Sequence, residues 1–265
     1  MTENGNKIAR ILVALDAQAP NRITIEAAVR LAEEFQAEIV GLFVTEADVL
    51  KLASLPTVRH LIGHTLTAQT LEPGAMERAF RVLADRARAD LAAVAESHHV
   101  RWSFRTVSGG TEETVVTEAT GFDVVTFGRG RYRRTVARAS HTRCGVFVAT
   151  PEMRSGRPIV LWSEGEHAPI ELAIRLAHQA RVKLLVLVQA TLDDAIVAGL
   201  AQRIAAAGVR GEIRRRAADT SGEAYRALRG AHPGLLVINR ATPLAQEEDF
   251  ESFVDSLDCA VFLTA

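Results

Sequence analysis

The segment Ile25-Glu-Ala-Ala-Val-Arg-Leu-Ala32 returns later as Ile170-Glu-Leu-Ala-Ile-Arg-Leu-Ala177, with two of eight positions changed, each from one apolar residue to another. The surroundings repeat with it. Ile11-Leu-Val-Ala-Leu15 precedes the first copy and Pro158-Ile-Val-Leu-Trp162 the second; Glu38-Ile-Val-Gly-Leu-Phe-Val44 follows the first and Lys183-Leu-Leu-Val-Leu-Val188 the second. Further on, Phe122-Asp-Val-Val-Thr-Phe-Gly-Arg129 parallels Pro233-Gly-Leu-Leu-Val-Ile-Asn-Arg240, and Cys144-Gly-Val-Phe-Val-Ala149 parallels Cys259-Ala-Val-Phe-Leu-Thr264. Matched blocks in one order signify a duplicated unit. Whatever one half folds into, the other must fold into as well.

Within each half, apolar strand-like runs alternate with helical patterns. The runs are continuous rather than alternately apolar and polar, so the strands are expected to be parallel, buried on both faces and covered by crossover helices. Strands are expected near 9–15, 38–44, 101–107, 122–127 and 145–149, and again near 158–162, 183–189, 209–215, 234–238 and 260–264. Right-handed crossovers make each set a doubly wound α/β sheet. The expected division is two tandem Rossmann-like domains, 1–150 and 158–265, separated by the polar stretch 151–157.

One feature breaks the symmetry. Between its second and third strands the first half carries a helical insertion, residues 45–100, where the second half has only 192–207. Phe80, Leu83, Ala87, Leu91 and Val94 fall at helical spacing and predict one long amphipathic helix over 75–97. Residues 47–62 read as a shorter helix broken near Pro56, and 63–74 as an irregular connection ending in Pro73-Gly74.

A formal net charge of −1 gives no electrostatic pull towards nucleic acid or an anionic membrane. The two cysteines, Cys144 and Cys259, exclude a disulfide-rich scaffold and suit a reducing compartment. The first ten residues lack the apolar core of a signal peptide, and no run approaches the roughly 20 apolar residues that span a bilayer. A soluble cytoplasmic protein is expected.

A strand Ile11-Leu-Val-Ala-Leu-Asp16 leading into an Ala-rich helix resembles the opening of universal stress protein (UspA-like) domains. So does a strand ending in Phe43-Val44, and so does Asp123-Val-Val-Thr-Phe-Gly128 followed by basic residues. The Cys-x-Val-Phe close of each half is similar to that family's last strand, with Gly145 and Ala260 where a proline is usual. The resemblance covers nearly the whole chain, least well over 45–100. It implies a stress-response protein of tandem architecture, each half a five-stranded parallel sheet of the adenine nucleotide α-hydrolase-like type. It also implies that the last strands of the halves pack together as an intrachain pseudo-dimer, and it leaves room for a homodimer. Some members bind ATP or AMP.

For this chain the resemblance places an adenine nucleotide, or another small ligand, at Asp16, Val44, Phe127, Gly128, Arg129, Gly130 and Arg131, all near the carboxyl ends of expected strands. In binding members the first-strand Asp meets the adenine or ribose side and the residue ending the second strand meets adenine. A Gly-x-x-Gly loop and a later Gly-Ser or Gly-Thr wrap the phosphates, because small residues let backbone amides approach. Here Asp16, Val44 and Gly128 are kept, but Gly130 comes one residue early and no Gly-Ser or Gly-Thr follows. Arg129, Arg131, Arg133, Arg134, Arg138 and Arg143 replace that loop; they can hold phosphate through their guanidinium forks or form a solvated face. The second half has Ser163 or Glu164 in place of Asp16, Asn239-Arg-Ala-Thr in place of the glycine-rich start, and an acidic loop Glu247-Glu-Asp-Phe-Glu251, so it reads as structural or as an interaction module. Arg133 and Arg134 could pair with Glu247 and Glu248 across the halves.

Ser108-Gly-Gly-Thr111 reads as the cap of a helix over 112–120 rather than a phosphate loop. His60 and His64, four apart, could share a helix face, and His98 and His99 are adjacent; without a third ligand they read as surface histidines and not a metal site. Cys144 and Cys259 open the last strands and read as small buried apolar residues, whose thiols would approach if those strands pack together. No base, nucleophile or metal constellation marks an enzyme. Three functions follow: a non-catalytic stress-response protein holding a small ligand, a ligand-free interaction module using residues 45–74, and a nucleotide hydrolase or transferase, with weak nucleotide hydrolysis its mildest form.

Overall fold

The computed structural model describes residues 8–15, 17, 21–47, 51, 59–62, 67–70, 73–128, 144–150, 156–164, 166–216 and 220–265. In the first half β1 (Arg10–Leu15), α1 (Arg22–Phe35) and β2 (Glu38–Glu46) are followed by two short strands, β3 (Arg59–Ile62) and β4 (Thr67–Thr70). Then come α2 (Pro73–Ser97), β5 (Trp102–Gly109), α3 (Thr111–Ala119), β6 (Val124–Gly128) and β7 (Gly145–Ala149). The second half runs β8 (Ile159–Ser163), α4 (His167–Ala180), β9 (Leu184–Gln189), α5 (Asp194–Ala206), β10 (Gly211–Arg216), α6 (Ser221–Ala231), β11 (Leu235–Asn239), α7 (Phe250–Ser256) and β12 (Ala260–Thr264).

Ten of these strands form one sheet, in the order β10-β9-β8-β11-β12-β7-β6-β1-β2-β5. Read outward from the middle, each half has its own fifth, fourth, first, second and third strand in turn. All neighbours are parallel except β7 and β12, which pair antiparallel at the seam. The duplicated sequence has therefore produced a duplicated topology, and the final strands join the halves edge to edge.

The ladders give residue-by-residue counterparts. Ile11 lies opposite Val124 and Ile39, and Ile159 lies opposite Leu235 and Leu184, which are the matching residues of the other half. Ile11 thus corresponds to Ile159 and Leu15 to Ser163, which leaves Glu164, in sequence, as the counterpart of Asp16. At the seam Phe147 pairs with its own counterpart Phe262, their ring centroids 5.8 Å apart, so the pseudo-two-fold axis passes between them. Both apolar layers run through the seam: Phe147 and Phe262 belong to one, Val146, Val148, Val261 and Leu263 to the other. Burying two sheet edges against each other removes unpaired backbone groups that would otherwise face solvent.

Helix ends repeat where the sequence does not. Gln36 and Arg181, both left-handed at φ 52°, close α1 and α4, with Ala37 N donating to Ala32 O (2.9 Å) and Val182 N to Ala177 O (3.1 Å). These are the crossed bonds of a left-handed helix cap. α2 ends in the same way at His99 (φ 54°) and α5 at its counterpart Gly208 (φ 68°). His98, beside that cap, bonds Glu33 on α1 at 2.7 Å. The His98–His99 pair is thus a helix end rather than a ligand set.

Four expectations are corrected. The insertion is not wholly helical: 59–62 and 67–70 are strands paired antiparallel, outside the main sheet. Four connecting residues and the β-branched Ile62, Thr67 and Thr70 suit a hairpin, and a short apolar run cannot by periodicity be told from a helix. His60, being on a strand, does not share a helix face with a residue four later, and His64 lies outside the described residues. Ser108 is part of β5 and Thr111 is already helical; α3 starts from Gly110 with no side-chain cap bond. Cys144 and Cys259 flank antiparallel strands, so the pairing puts them at opposite ends of the seam, roughly 20 Å apart by strand rise. Both cysteines are buried, and neither is in a disulfide.

Candidate functional site

In a doubly wound sheet the ligand crevice opens at the carboxyl ends of the strands, where the order reverses. In the first half that point lies between β1 and β6. β2 continues two residues beyond Val44, since Thr45 and Glu46 still pair with Ser108 and Gly109. Val44 is therefore inside the sheet, 2% exposed, and Phe127 is fully buried. Ala14, Val44 and Phe127 lie on one face, in the same apolar layer, and Val107 packs against it. Beside them Gly128 ends β6 with no room for a side chain: a Cβ there would stand 2.8 Å from the Thr24 hydroxyl of α1. Ala14, Val44, Val107, Phe127 and Gly128 are small or apolar, and Thr45, Glu46 and Ser108 are polar residues described at the same end. Of the residues expected to hold a ligand, Val44, Phe127 and Gly128 are brought together; Asp16, Arg129, Gly130 and Arg131 lie outside the described residues, as do Arg133, Arg134, Arg138 and Arg143.

The register locates the same positions in the second half. Ala14 corresponds to Trp162, Val44 to Gln189, Val107 to Arg216, Phe127 to Ile238 and Gly128 to Asn239. Here the end of the sheet is filled. Arg216, with 1% of its side chain exposed, reaches from the edge strand across β9 to β8. Its Nη1 donates to Leu187 O (2.9 Å) and to Ser163 O (2.8 Å), its Nη2 pairs with the Glu164 carboxylate, and its guanidinium lies 4.5 Å from the Trp162 ring. Arg215 closes the turn after β9, donating to Ala190 O and Leu192 O, both at 2.7 Å, and pairing with Asp194. Asn239 is spent on the backbone: its Oδ1 accepts from Ala241 N at 2.7 Å and its Nδ2 donates to Ala265 O at 3.3 Å. The sequence announced none of this. Arg216 lies one residue past the strand expected near 209–215, and only the register sets it over Trp162 and Glu164.

In the acidic loop of the second half Glu247 turns inward as well, while Glu248 and Asp249 are exposed. Glu247 accepts from the Ser221 hydroxyl and from Ser221 N (3.1 Å), and so caps α6, where a carboxylate is favoured by the helix dipole. Arg240 ties the halves: half-buried, it donates to Thr264 O (3.3 Å) and to Cys144 O of the other half, and burial lowers its pKa. At the edge, hydrogen bonds from Arg214 and then Lys183 hold the Glu212 carboxyl down to about 2.

Cavities among the described residues lie elsewhere, including one of about 360 Å³ between α1 and α2 beside Glu26, Asp90 and His98. One of about 440 Å³ opens at the amino ends of β8, β11 and β12, between Arg157, Tyr225, Arg229, His232 and Cys259. Another of about 360 Å³ lies between α1 and α4. None of these is at a carboxyl-end switch point. Among the described residues no group of three or more His, Cys, Asp or Glu could hold a metal ion, and no helix is long and apolar enough to cross a membrane.

No protein-family model matches the sequence, and no curated protein matches it. Solved structures do. A universal stress protein from Archaeoglobus fulgidus DSM 4304 is 13% identical, with 96% of this chain and 95% of that chain aligned at a TM-score of 0.70. The cytoplasmic domain of a prokaryotic cation chloride cotransporter is 12% identical over 97% of this chain and 95% of that one, at a TM-score of 0.50. The fold is that of a tandem universal stress protein, matched over both halves.

Proposed function

We propose that this chain is a non-catalytic stress-response protein of the universal stress type, cytoplasmic, with two domains, 1–150 and 158–265, of which the first holds an adenine nucleotide, ATP or AMP, or a small ligand of like shape. One observation carries the reading: where the second half has Trp162, Arg216 and Asn239, the first has Ala14, Val107 and Gly128. An apolar seat suits a flat heterocycle, with Val44 and Phe127 in the buried layer beneath it. Asp16 is assigned to the ribose or base edge, and Arg129 and Arg131, across Gly128 and Gly130, to phosphate by their guanidinium forks. No acid, base and nucleophile stand together at the described strand ends, so the reading assigns no catalytic residue.

The test is mass spectrometry of small molecules released from freshly purified protein, followed by calorimetric titration with ATP and with AMP. The expected result is one nucleotide per chain, lost in Asp16→Ala. Two sites per chain, or none, would overturn it, and turnover of ATP abolished by one crevice substitution would move the chain to the hydrolases.

A second reading, a ligand-free interaction module using residues 45–74, draws support from β3 and β4. A two-stranded hairpin outside the main sheet is marginal on its own in water, and a partner surface would stabilise it. Deleting 59–70 should then abolish capture of that partner while leaving the melting temperature almost unchanged.

A further inference from the structure

We infer that the second half carries its occupant within the chain: the Arg216 side chain fills the carboxyl-end crevice of that half in place of a ligand, and the emptied crevice would take a small guanidinium cation. The inference stands apart from whether the first half binds nucleotide.

Three groups make the seat. The Trp162 ring offers its face to the guanidinium at 4.5 Å, a favourable position for a cation over an indole. The Glu164 carboxylate, at the position of Asp16 in the other half, supplies the charge partner, and its side chain is 17% exposed. The carbonyls of Ser163 and Leu187 accept the remaining N–H groups at 2.8 and 2.9 Å. A planar, always-charged group with several donors is what these three surfaces recognise together, and an ammonium would satisfy them less well. Those carbonyls belong to β8 and β9, where an open doubly wound sheet would present backbone to its ligand. Arg216 meets them from β10, the outermost strand. The route is short because Arg216 is the last residue of its strand, so its side chain sweeps across the strand ends rather than over the sheet face.

The geometry also explains the asymmetry between the repeats. A nucleotide in the second half would have to displace a buried, paired cation whose partner is a carboxylate, then set its own phosphates beside that carboxylate. The exclusion is built from side chains and does not depend on the missing glycines.

The experiment is chemical rescue of the full chain. Arg216→Ala leaves a hole the size of ethylguanidinium. Its melting temperature should fall by about 6–12 °C, as for the loss of one partner of a buried pair. Millimolar ethylguanidinium should restore part of that loss saturably in the variant and leave wild type unmoved, while ethylammonium should not restore it. A variant as stable as wild type, or equal responses to the two cations, would overturn the proposal. Should Arg216→Ala fail to fold, Arg216→Gln, Glu164→Gln and the double variant form a cycle: strong coupling supports the seat, and additive losses sink it.

Discussion

The two ends of the sheet differ more than the two sequences that build them. Near the ends of its strands the first half carries Ala14, Val107 and Gly128, and at the matching positions the second carries Trp162, Arg216 and Asn239. In the first half the described residues of this set are small or apolar, whereas in the second a cation stacked on an indole and bonded to two strand carbonyls closes the end. Duplication supplies two equal scaffolds. On the proposed reading, a few side chains at strand ends then make one of them a seat and the other a brace.

The sharpest way to break that comparison is to exchange its terms. Arg216→Ala should cost about 3–5 kcal/mol in chemical denaturation, because it strands Glu164 in a half-closed crevice, while Val107→Ala at the counterpart should cost only about 1 kcal/mol. Equal losses would mean that the two ends are built alike. Gly41 and Val186 offer the next contrast. At Gly41 a Cβ would meet Leu91 at 2.6 Å and Phe104 at 2.9 Å, because α2 of the longer insertion settles into the gap the glycine leaves. Gly41→Val, which copies the other half, should destabilise by about 1–3 kcal/mol through overpacking, and urea melts would show it. Gly128→Ala should cost about 1 kcal/mol as Thr24 turns aside, and should weaken nucleotide binding in the calorimeter. Unchanged binding there would remove Gly128 from the seat.

The smallest effect concerns pH. Burial raises the Glu34 pKa against the opposing hydrogen bond from Arg175, and one of its oxygens is buried without a partner. A carboxyl whose folded pKa exceeds its unfolded one favours the fold while protonated, and that contribution is lost as pH rises through the folded value. Its counterpart is Gln179, which donates to the Glu34 backbone at 3.5 Å. Glu34→Gln should therefore gain stability over wild type at neutral pH, with the gain shrinking towards pH 4. A gain that grows on acidification would contradict the sign.

Much of the scaffold was legible beforehand. The ten main strands lie within two residues of their expected places, although the edge strands β5 and β10 are largely exposed or half-buried rather than buried on both faces, and the long helix spans 73–97 against an expected 75–97. Continuous apolar runs and helical spacing are local properties, set by burial on both faces or on one. The hairpin of the insertion was missed because four-residue strands carry too little pattern to outweigh a helical reading. The candidate site was legible only in outline: Gly128 and Val44 could be named, but Val44 proved to lie within its strand, since pairing rather than hydropathy fixes where a strand stops.

The repeat itself, written in the sequence at Ile25–Ala32 and Ile170–Ala177, determined that two equal α/β units would form, because apolar periodicity fixes which face of each element must leave water. The sequence could not say that β7 and β12 would run antiparallel, with Phe147 against Phe262, nor that Arg216 would lie over Trp162 and Glu164. Those contacts join residues far apart in the chain. They exist only once register is chosen, and register is chosen by the packing of the whole sheet.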